Sequence, residues 1–283
     1  MGTLQEHQGV LLELLTEFDR VCRKLNIRYI LFAGSMLGAV RHGGFIPWDD
    51  DLDVIMLRED YERFLAEAPQ ELSEKYYLQG EFSQHWPMYF SKLRKNNTTC
   101  IEKYHPKDKQ VHQGIYMDIF PCDNASDKAP VRKLQYYASR AVIAKSLYAR
   151  GYDTDSALKK VFMAACRLLP MKPLLLFARH KESGKSQFVH TFFAATSRYQ
   201  KGVLPREWLE EREERTFEGL TAPISAHYDE VLTTLYGDYM TIPPEEDRKC
   251  KVHCILVDTE KNYTEYLDYV DGMKFDVYTR SIR

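Results

Sequence analysis

The chain has 283 residues, with 39 Lys and Arg against 41 Asp and Glu, a formal net charge of -2. That length and a 44% apolar composition supply one large core or two smaller ones. Near-neutrality argues against nucleic-acid binding as a global electrostatic event, and six irregularly spaced cysteines are not a secreted disulfide framework, so a reduced compartment is expected.

Thr3 and Glu6 have capping-box spacing, and Leu11, Leu14, Leu15, Phe18, Cys22 and Leu25 recur at helical period until Asn26. The run Tyr29-Ile30-Leu31-Phe32-Ala33 reads as a buried strand that gives way at Gly34-Ser35 to a helix from Met36 to His42. Backbone N–H groups at such a helix start favour an anion. Asp51 to Met56 alternates like a strand, with Asp51 and Asp53 on one face and Leu52, Val54 and Met56 on the other. The predicted sheet spans 28 to 33, 51 to 56, 76 to 82, 88 to 94 and 114 to 120. After Pro121 the texture turns to charged helical runs broken by prolines, which divides the chain into a core over 1 to 124 and a mainly helical region over 125 to 283. Val161 to Ala178 is apolar but interrupted by Arg167, Pro170, Lys172 and Pro173. A core helix pair is expected there, with a bilayer-docking surface as the alternative.

The chemistry concentrates at Asp49, Asp50, Asp51 and Asp53. An isolated Asp-x-Asp is ordinarily a turn or a solvated strand end. Four carboxylates within five residues beside a buried strand repel one another unless a cation neutralises them, and hard oxygen ligands select Mg²⁺ or Mn²⁺. Asp118 interrupts the otherwise apolar strand Tyr116 to Phe120, as a site residue or as a core Asp paired with an amide or an Arg. Cys250, His253 and Cys254 cluster without the fourth ligand zinc needs, and read as ordinary thiols. Gly184-Lys185-Ser186 mimics the end of a P-loop, but Arg179 stands where its first glycine belongs.

The string Phe32-Ala33-Gly34-Ser35-Met36-Leu37-Gly38-Ala39-Val40-Arg41-His42-Gly43-Gly44-Phe45-Ile46-Pro47-Trp48-Asp49-Asp50-Asp51-Leu52-Asp53 resembles the LicD family of phosphocholine transferases, within the nucleotidyltransferase superfamily. The fukutin-related phosphoribitol transferases are similar to that family. Lys92-Leu93-Arg94 with Thr98-Thr99, Gly114 to Pro121, Phe217-Glu218-Gly219, and Tyr236-Gly237-Asp238-Tyr239 with Pro243-Pro244 extend the likeness collinearly over most of the chain. The resemblance implies an α/β (α+β) fold, a nucleotidyltransferase-like mixed sheet with flanking helices and a helical carboxy-terminal region. It also implies Asp51, Asp53 and Asp118 as catalytic metal ligands. The implied reaction moves phosphocholine or a related phospho-alcohol from CDP-choline or another CDP-alcohol to a hydroxyl of a cell-surface glycan or teichoic acid precursor.

Around those acids, Gly34, Ser35 and Arg41 are candidates for donor phosphate binding, as are Lys92 and Arg94, two apart on one strand face. Arg41 and His42 serve equally well as helix-dipole complements. Trp48, Trp86 and Tyr89 are candidates for choline through cation-π contact, against the commoner core role of aromatics. Nucleotidyl transfer to a small hydroxyl compound stands as an alternative, and a noncatalytic binding protein as another, which intact Asp51, Asp53 and Asp118 argue against. Met1 to Glu6 lacks a basic patch followed by an apolar stretch, so a cytoplasmic protein is expected, with peripheral attachment at the inner membrane face left open.

Overall fold

Thr3 caps the first helix as its spacing predicts: its hydroxyl accepts from Glu6 N, and the Glu6 carboxylate accepts from Thr3 N at 2.6 Å. The computed structural model describes residues 3–102, 110–152, 154–179, 186–194, 198–248 and 254–267. In chain order the elements are α1 (Leu4–Leu25), β1 (Ile30–Leu31), α2 (Ala33–His42), β2 (Asp53–Leu57), α3 (Arg58–Glu67), β3 (Tyr76–Gln79), β4 (Ser91–Lys95), β5 (Thr99–Glu102) and β6 (Tyr116–Ala125). Then come α4 (Ala129–Arg150), α5 (Ala157–Cys166), α6 (Met171–Arg179), β7 (Phe188–His190), β8 (Val203–Pro205), α7 (Glu207–Glu210), β9 (Arg212–Phe217), β10 (Leu220–Ser225), α8 (Tyr228–Tyr236) and β11 (Cys254–Asp258).

The central sheet runs β1-β2-β6-β4-β3 and is mixed: β2 pairs parallel to β6, while β4 pairs antiparallel to it. Every residue of β2 is buried, as expected of a strand covered on both faces. The far end of β6 carries β7 and then β8. Apolar positions of α1, among them Leu11, Leu14, Phe18 and Val21, enter the same core as Val54, Ile119, Phe217, Ile224 and Leu232. The region after residue 125 therefore builds part of the central core, and among the described residues it contributes five strands as well as helices.

Four expectations are corrected. The chain leaves β1 after two residues, because Ala33 adopts a φ of +48 and α2 begins there. β2 begins at Asp53, so Asp51 belongs to the preceding irregular segment. Cys100 and Cys254 are joined in a disulfide, with Cα atoms 5.9 Å apart across the antiparallel pair β5 and β11. The α5 and α6 pair is not a covered core element: Leu158 and Leu168 are each 80% exposed. Among the described residues no single helix is long and apolar enough to cross a membrane, and these two pass only together, with a 98° bend between them.

Candidate active site

Two neighbouring segments deliver the acids. Asp53 opens β2, and its backbone N–H donates to Ser35 Oγ at 2.8 Å. Ser35 lies buried in the first turn of α2, so its hydroxyl ties helix start to strand start and positions Asp53. Asp118 of β6 is the register partner of Asp53.

The loop that brings Asp49 and Asp51 to the same place is held from two sides. Gln8 Nε2 of α1 donates to the Asp49 carbonyl at 2.9 Å. From the other side, Phe45 N–H donates to Glu218 Oε1 at 3.0 Å, Glu218 N–H donates to Gly43 O at 2.9 Å, and the Phe45 and Phe217 rings meet edge-on at 4.8 Å. A Cβ at Gly44 would collide with the Glu218 carboxylate and displace it from its bond to Phe45 N–H.

These elements enclose a cleft of about 500 Å³, walled by Gly34, Arg41, Trp48, Asp49, Asp51 and Asp53 and, opposite, by Tyr236, Asp238, Tyr239 and Asp247. A Cβ at Gly34 would stand 2.8 Å from Asp49 Oδ2 and 4.0 Å from Asp51 Oδ1. A side chain at position 34 would therefore push the Asp49 carboxylate away from the start of α2. Arg41 Nη1 donates to Tyr239 O at 2.6 Å and closes the far end of that helix onto the opposite wall.

Burial and mutual repulsion of the carboxylates dominate the electrostatics around Asp53. Burial, then repulsion from Asp51, Asp118 and Asp49, pushes the Asp53 carboxyl well above the usual range, with Lys92 pulling the other way. Burial also raises Asp118, against the attraction of Lys92. Lys92 Nζ lies 3.0 Å from Asp118 Oδ1, an ion-pair distance without hydrogen-bond alignment, so that buried oxygen has no aligned donor among the described residues. The surrounding protein, and then the charges of Asp53, Asp51 and Asp49, push the Tyr236 phenol up although the residue is 46% exposed. Tyr236 thus keeps its proton and presents a donor to the cleft.

Among the described residues no three acids, imidazoles or thiols already stand at coordination spacing. The donor set nevertheless suits a hard divalent cation: it is all carboxylate oxygen, burial and neighbouring carboxylates oppose the Asp53 charge, and an Asp118 oxygen lacks an aligned partner among the described residues. Asp51, Asp53 and Asp118 are the residues that could hold one.

Of the other residues singled out in the sequence, Gly34, Arg41 and Trp48 line the cleft, while Lys92 and Arg94 do not. Each of the two is 1% exposed. Lys92 lies under the Tyr116 ring at 3.1 Å, and Arg94 donates to Gln79 Oε1 at 2.8 Å and Gly114 O at 2.9 Å. Trp86 is wholly buried, its indole N–H donating to Phe90 O at 2.9 Å and its ring flanking Lys92 and Arg94 at 5.4 and 5.7 Å. Tyr89 packs on Phe90 and Phe193. Of the three aromatics, only Trp48 is left in the cleft, and Arg248 already lies 5.6 Å over its ring. Cys250 and His253 lie outside the described residues, and Cys254 is bonded to Cys100. Gln8, Glu218 and Tyr236 carry site roles that spacing and composition do not reveal. For the last two, the only mark in the sequence is membership of the strings Phe217-Glu218-Gly219 and Tyr236-Gly237-Asp238-Tyr239.

Residues 26–149 match the sequence profile of the LicD/FKTN/FKRP nucleotidyltransferase domain. The chain is 29% identical over 257 residues to the lipopolysaccharide cholinephosphotransferase LicD of Haemophilus influenzae, covering 87% of this chain and 95% of that one. An uncharacterised protein of Rickettsia typhi is 43% identical over 135 residues, 44% of this chain and 39% of its own length. The human ribitol 5-phosphate transferase FKRP is 50% identical over 40 residues, which span 14% of this chain and 8% of that protein.

Proposed function

We propose that this chain, which carries a match to the LicD/FKTN/FKRP nucleotidyltransferase domain and resembles a LicD cholinephosphotransferase over most of its length, is a LicD-type transferase that moves phosphocholine, or a related phospho-alcohol, from a CDP-linked donor to a hydroxyl of a cell-surface glycan or teichoic acid precursor. The observation that carries this reading is the cleft itself, where Asp49, Asp51 and Asp53 meet the start of α2 opposite Tyr236 and Asp238. The substrate class is supported by the Haemophilus relative, whose name states cholinephosphate transfer and lipopolysaccharide.

In this reading the acceptor hydroxyl oxygen attacks the phosphorus that carries the alcohol. The new P–O bond forms as the bond to the CMP oxygen breaks, and CMP departs with that electron pair. Asp118, its affinity for protons raised by burial, takes the hydroxyl proton. The N-terminal turn of α2 and Arg41 orient the donor phosphates. Tyr236 donates from its phenol to a phosphate oxygen. Trp48, which lines the cleft together with Asp238 and Asp247, offers the quaternary ammonium a cation-π contact of about 0.5 to 2 kcal/mol once Arg248 gives up its place over the ring. Mg²⁺ or Mn²⁺ held by Asp51, Asp53 and Asp118 would neutralise charge on the donor diphosphate.

Incubating the protein and Mg²⁺ with CDP-choline, CDP-ethanolamine or CDP-ribitol and a lipopolysaccharide or teichoic acid extract, followed by mass spectrometry, tests the reading. CMP and a phosphocholine-bearing glycan are expected. Pyrophosphate release from CTP or ATP, with no CMP from any CDP-alcohol, would replace it with nucleotidyl transfer.

A further inference from the structure

The hairpin of α5 and α6 exposes apolar side chains where a protein surface ordinarily carries polar ones. Met163 and Cys166 of α5 pack inward in one cluster with Ala141 and Ala144 of α4, and Ala178 of α6 in another with Ala138, Val142 and Ile143. Leu158, Val161, Phe162 and Ala165 recur at i, i+3, i+4 and i+7 on another face of α5, with Val161 66% and Phe162 50% exposed. The connection adds Leu168 and Leu169, and α6 adds Leu176 and Phe177, all exposed. A contiguous apolar surface of this kind marks an interaction site.

Charge decides what covers it. Between residues 157 and 179 there is no Asp or Glu, whereas Lys159, Lys160, Arg167 and Lys172 are exposed on the same hairpin. A second copy docked across a two-fold axis would set this face against itself, bringing cations together with no acid on either side to pair them. An anionic bilayer surface offers phosphates to the cations and an apolar layer directly beneath. The 98° bend suits elements lying at an interface, since a straight span needs about 20 continuous apolar residues.

We propose that the α5–α6 hairpin is a membrane-docking element that lies in the headgroup region of an anionic bilayer. Leu158, Phe162 and Leu168 enter the apolar boundary, and Lys159, Lys160, Arg167 and Lys172 contact lipid phosphates. The proposal is independent of the donor and acceptor chemistry assigned to the cleft.

Co-sedimentation of the full chain with lipid vesicles tests it. The wild type should partition onto vesicles containing phosphatidylglycerol, bind pure phosphatidylcholine vesicles weakly, and dissociate at high salt. The pair Lys159→Glu and Lys160→Glu should weaken binding at least tenfold, given about fivefold per cation near the surface. The pair Leu158→Gln and Phe162→Gln should weaken it comparably on the same vesicles. Both altered sites are exposed, so circular dichroism and thermal midpoints should match the wild type. Equal partition of wild type and variants, or no wild-type binding to either vesicle, would overturn the proposal. So would a wild-type dimer that Leu158→Gln with Phe162→Gln disperses, because the face would then belong to a second copy.

Discussion

Lys92 and Asp118 are register partners across β4 and β6, and Lys92 Nζ stands 3.0 Å from Asp118 Oδ1. On its other side Asp118 is the register partner of Asp53 in β2. A buried cation and two carboxylates thus line up across three adjacent strands, the outermost acid opening onto the cleft. Glu102 joins the row from β5, its carboxylate 3.2 Å from Lys92 Nζ and also paired with Arg150. Burial opposes the Glu102 charge, but Lys92, Arg150 and Arg94 outweigh it and hold this carboxyl well below the usual range. Lys92 therefore contacts Asp118 from inside the sheet and pulls against the burial that raises it.

Lys92→Met should cost about 3 to 5 kcal/mol, because it leaves buried carboxylates without their cation. Urea denaturation monitored by fluorescence reads the loss directly. A Lys92→Met protein that unfolds at the wild-type midpoint but binds CDP-choline poorly would instead make Lys92 a phosphate contact.

For Asp53 the sign is opposite. Its folded-state pKa lies above the unfolded value of about 3.9, so its contribution to stability is full below that pH and lost as pH rises through the folded value. Asp53→Asn should then equal or exceed the wild type in thermal midpoint at neutral pH in EDTA, while transfer activity disappears. Mg²⁺ should stabilise the wild type and leave Asp53→Asn unmoved, since only a bound ligand shifts the folding equilibrium. Near-wild-type turnover by this variant would remove Asp53 from the site.

His7 supplies a pH dependence away from the acids. It is 2% exposed on α1, and burial, opposed by Asp50, pushes its imidazole from 6.5 down to about 4. The folded pKa lies below the unfolded one, so its full contribution is present above pH 6.5 and fades as pH falls from 6.5 to about 4. The difference of 2.5 units between those two values corresponds to about 3 kcal/mol. Denaturation midpoints across that window should fall steeply for the wild type and less so for His7→Gln. Parallel slopes would show that other groups carry the acid sensitivity.

What the sequence makes legible follows from the range of the forces involved. The capping box and period of α1 are local, and so is the presence of a helix after the β1 strand, although α2 starts at Ala33 and takes in Gly34 and Ser35. Asp118 stands out because a charge inside an apolar strand conflicts with its neighbours. Alternation also places Lys92 and Arg94 on one face of β4, but it cannot say that Trp86 and Tyr116 cover that face. The role of Gln8 depends on a contact between residues 41 positions apart. The same limit governs α5 and α6, whose apolar pattern is equally that of a core pair until their exposure among the described residues is seen.

Gly34 tests the cleft without touching a charge. In an open helix, alanine in place of glycine stabilises by up to about 1 kcal/mol. Here the added methyl carbon would stand 2.8 Å from Asp49 Oδ2, closer than van der Waals contact allows, so the Asp49 carboxylate must move away from the start of α2. The helix gain and the local clash oppose each other, and the thermal midpoint of Gly34→Ala should stay near that of the wild type. Catalysis has no such compensation: a displacement on the order of 1 Å at a reacting centre costs about a hundredfold. Gly34→Ala should therefore lose about two orders of magnitude in kcat/KM for the CDP-linked donor while unfolding normally. Wild-type kcat/KM in a folded Gly34→Ala protein would mean that the contact between Gly34 and Asp49 does not shape the reacting centre.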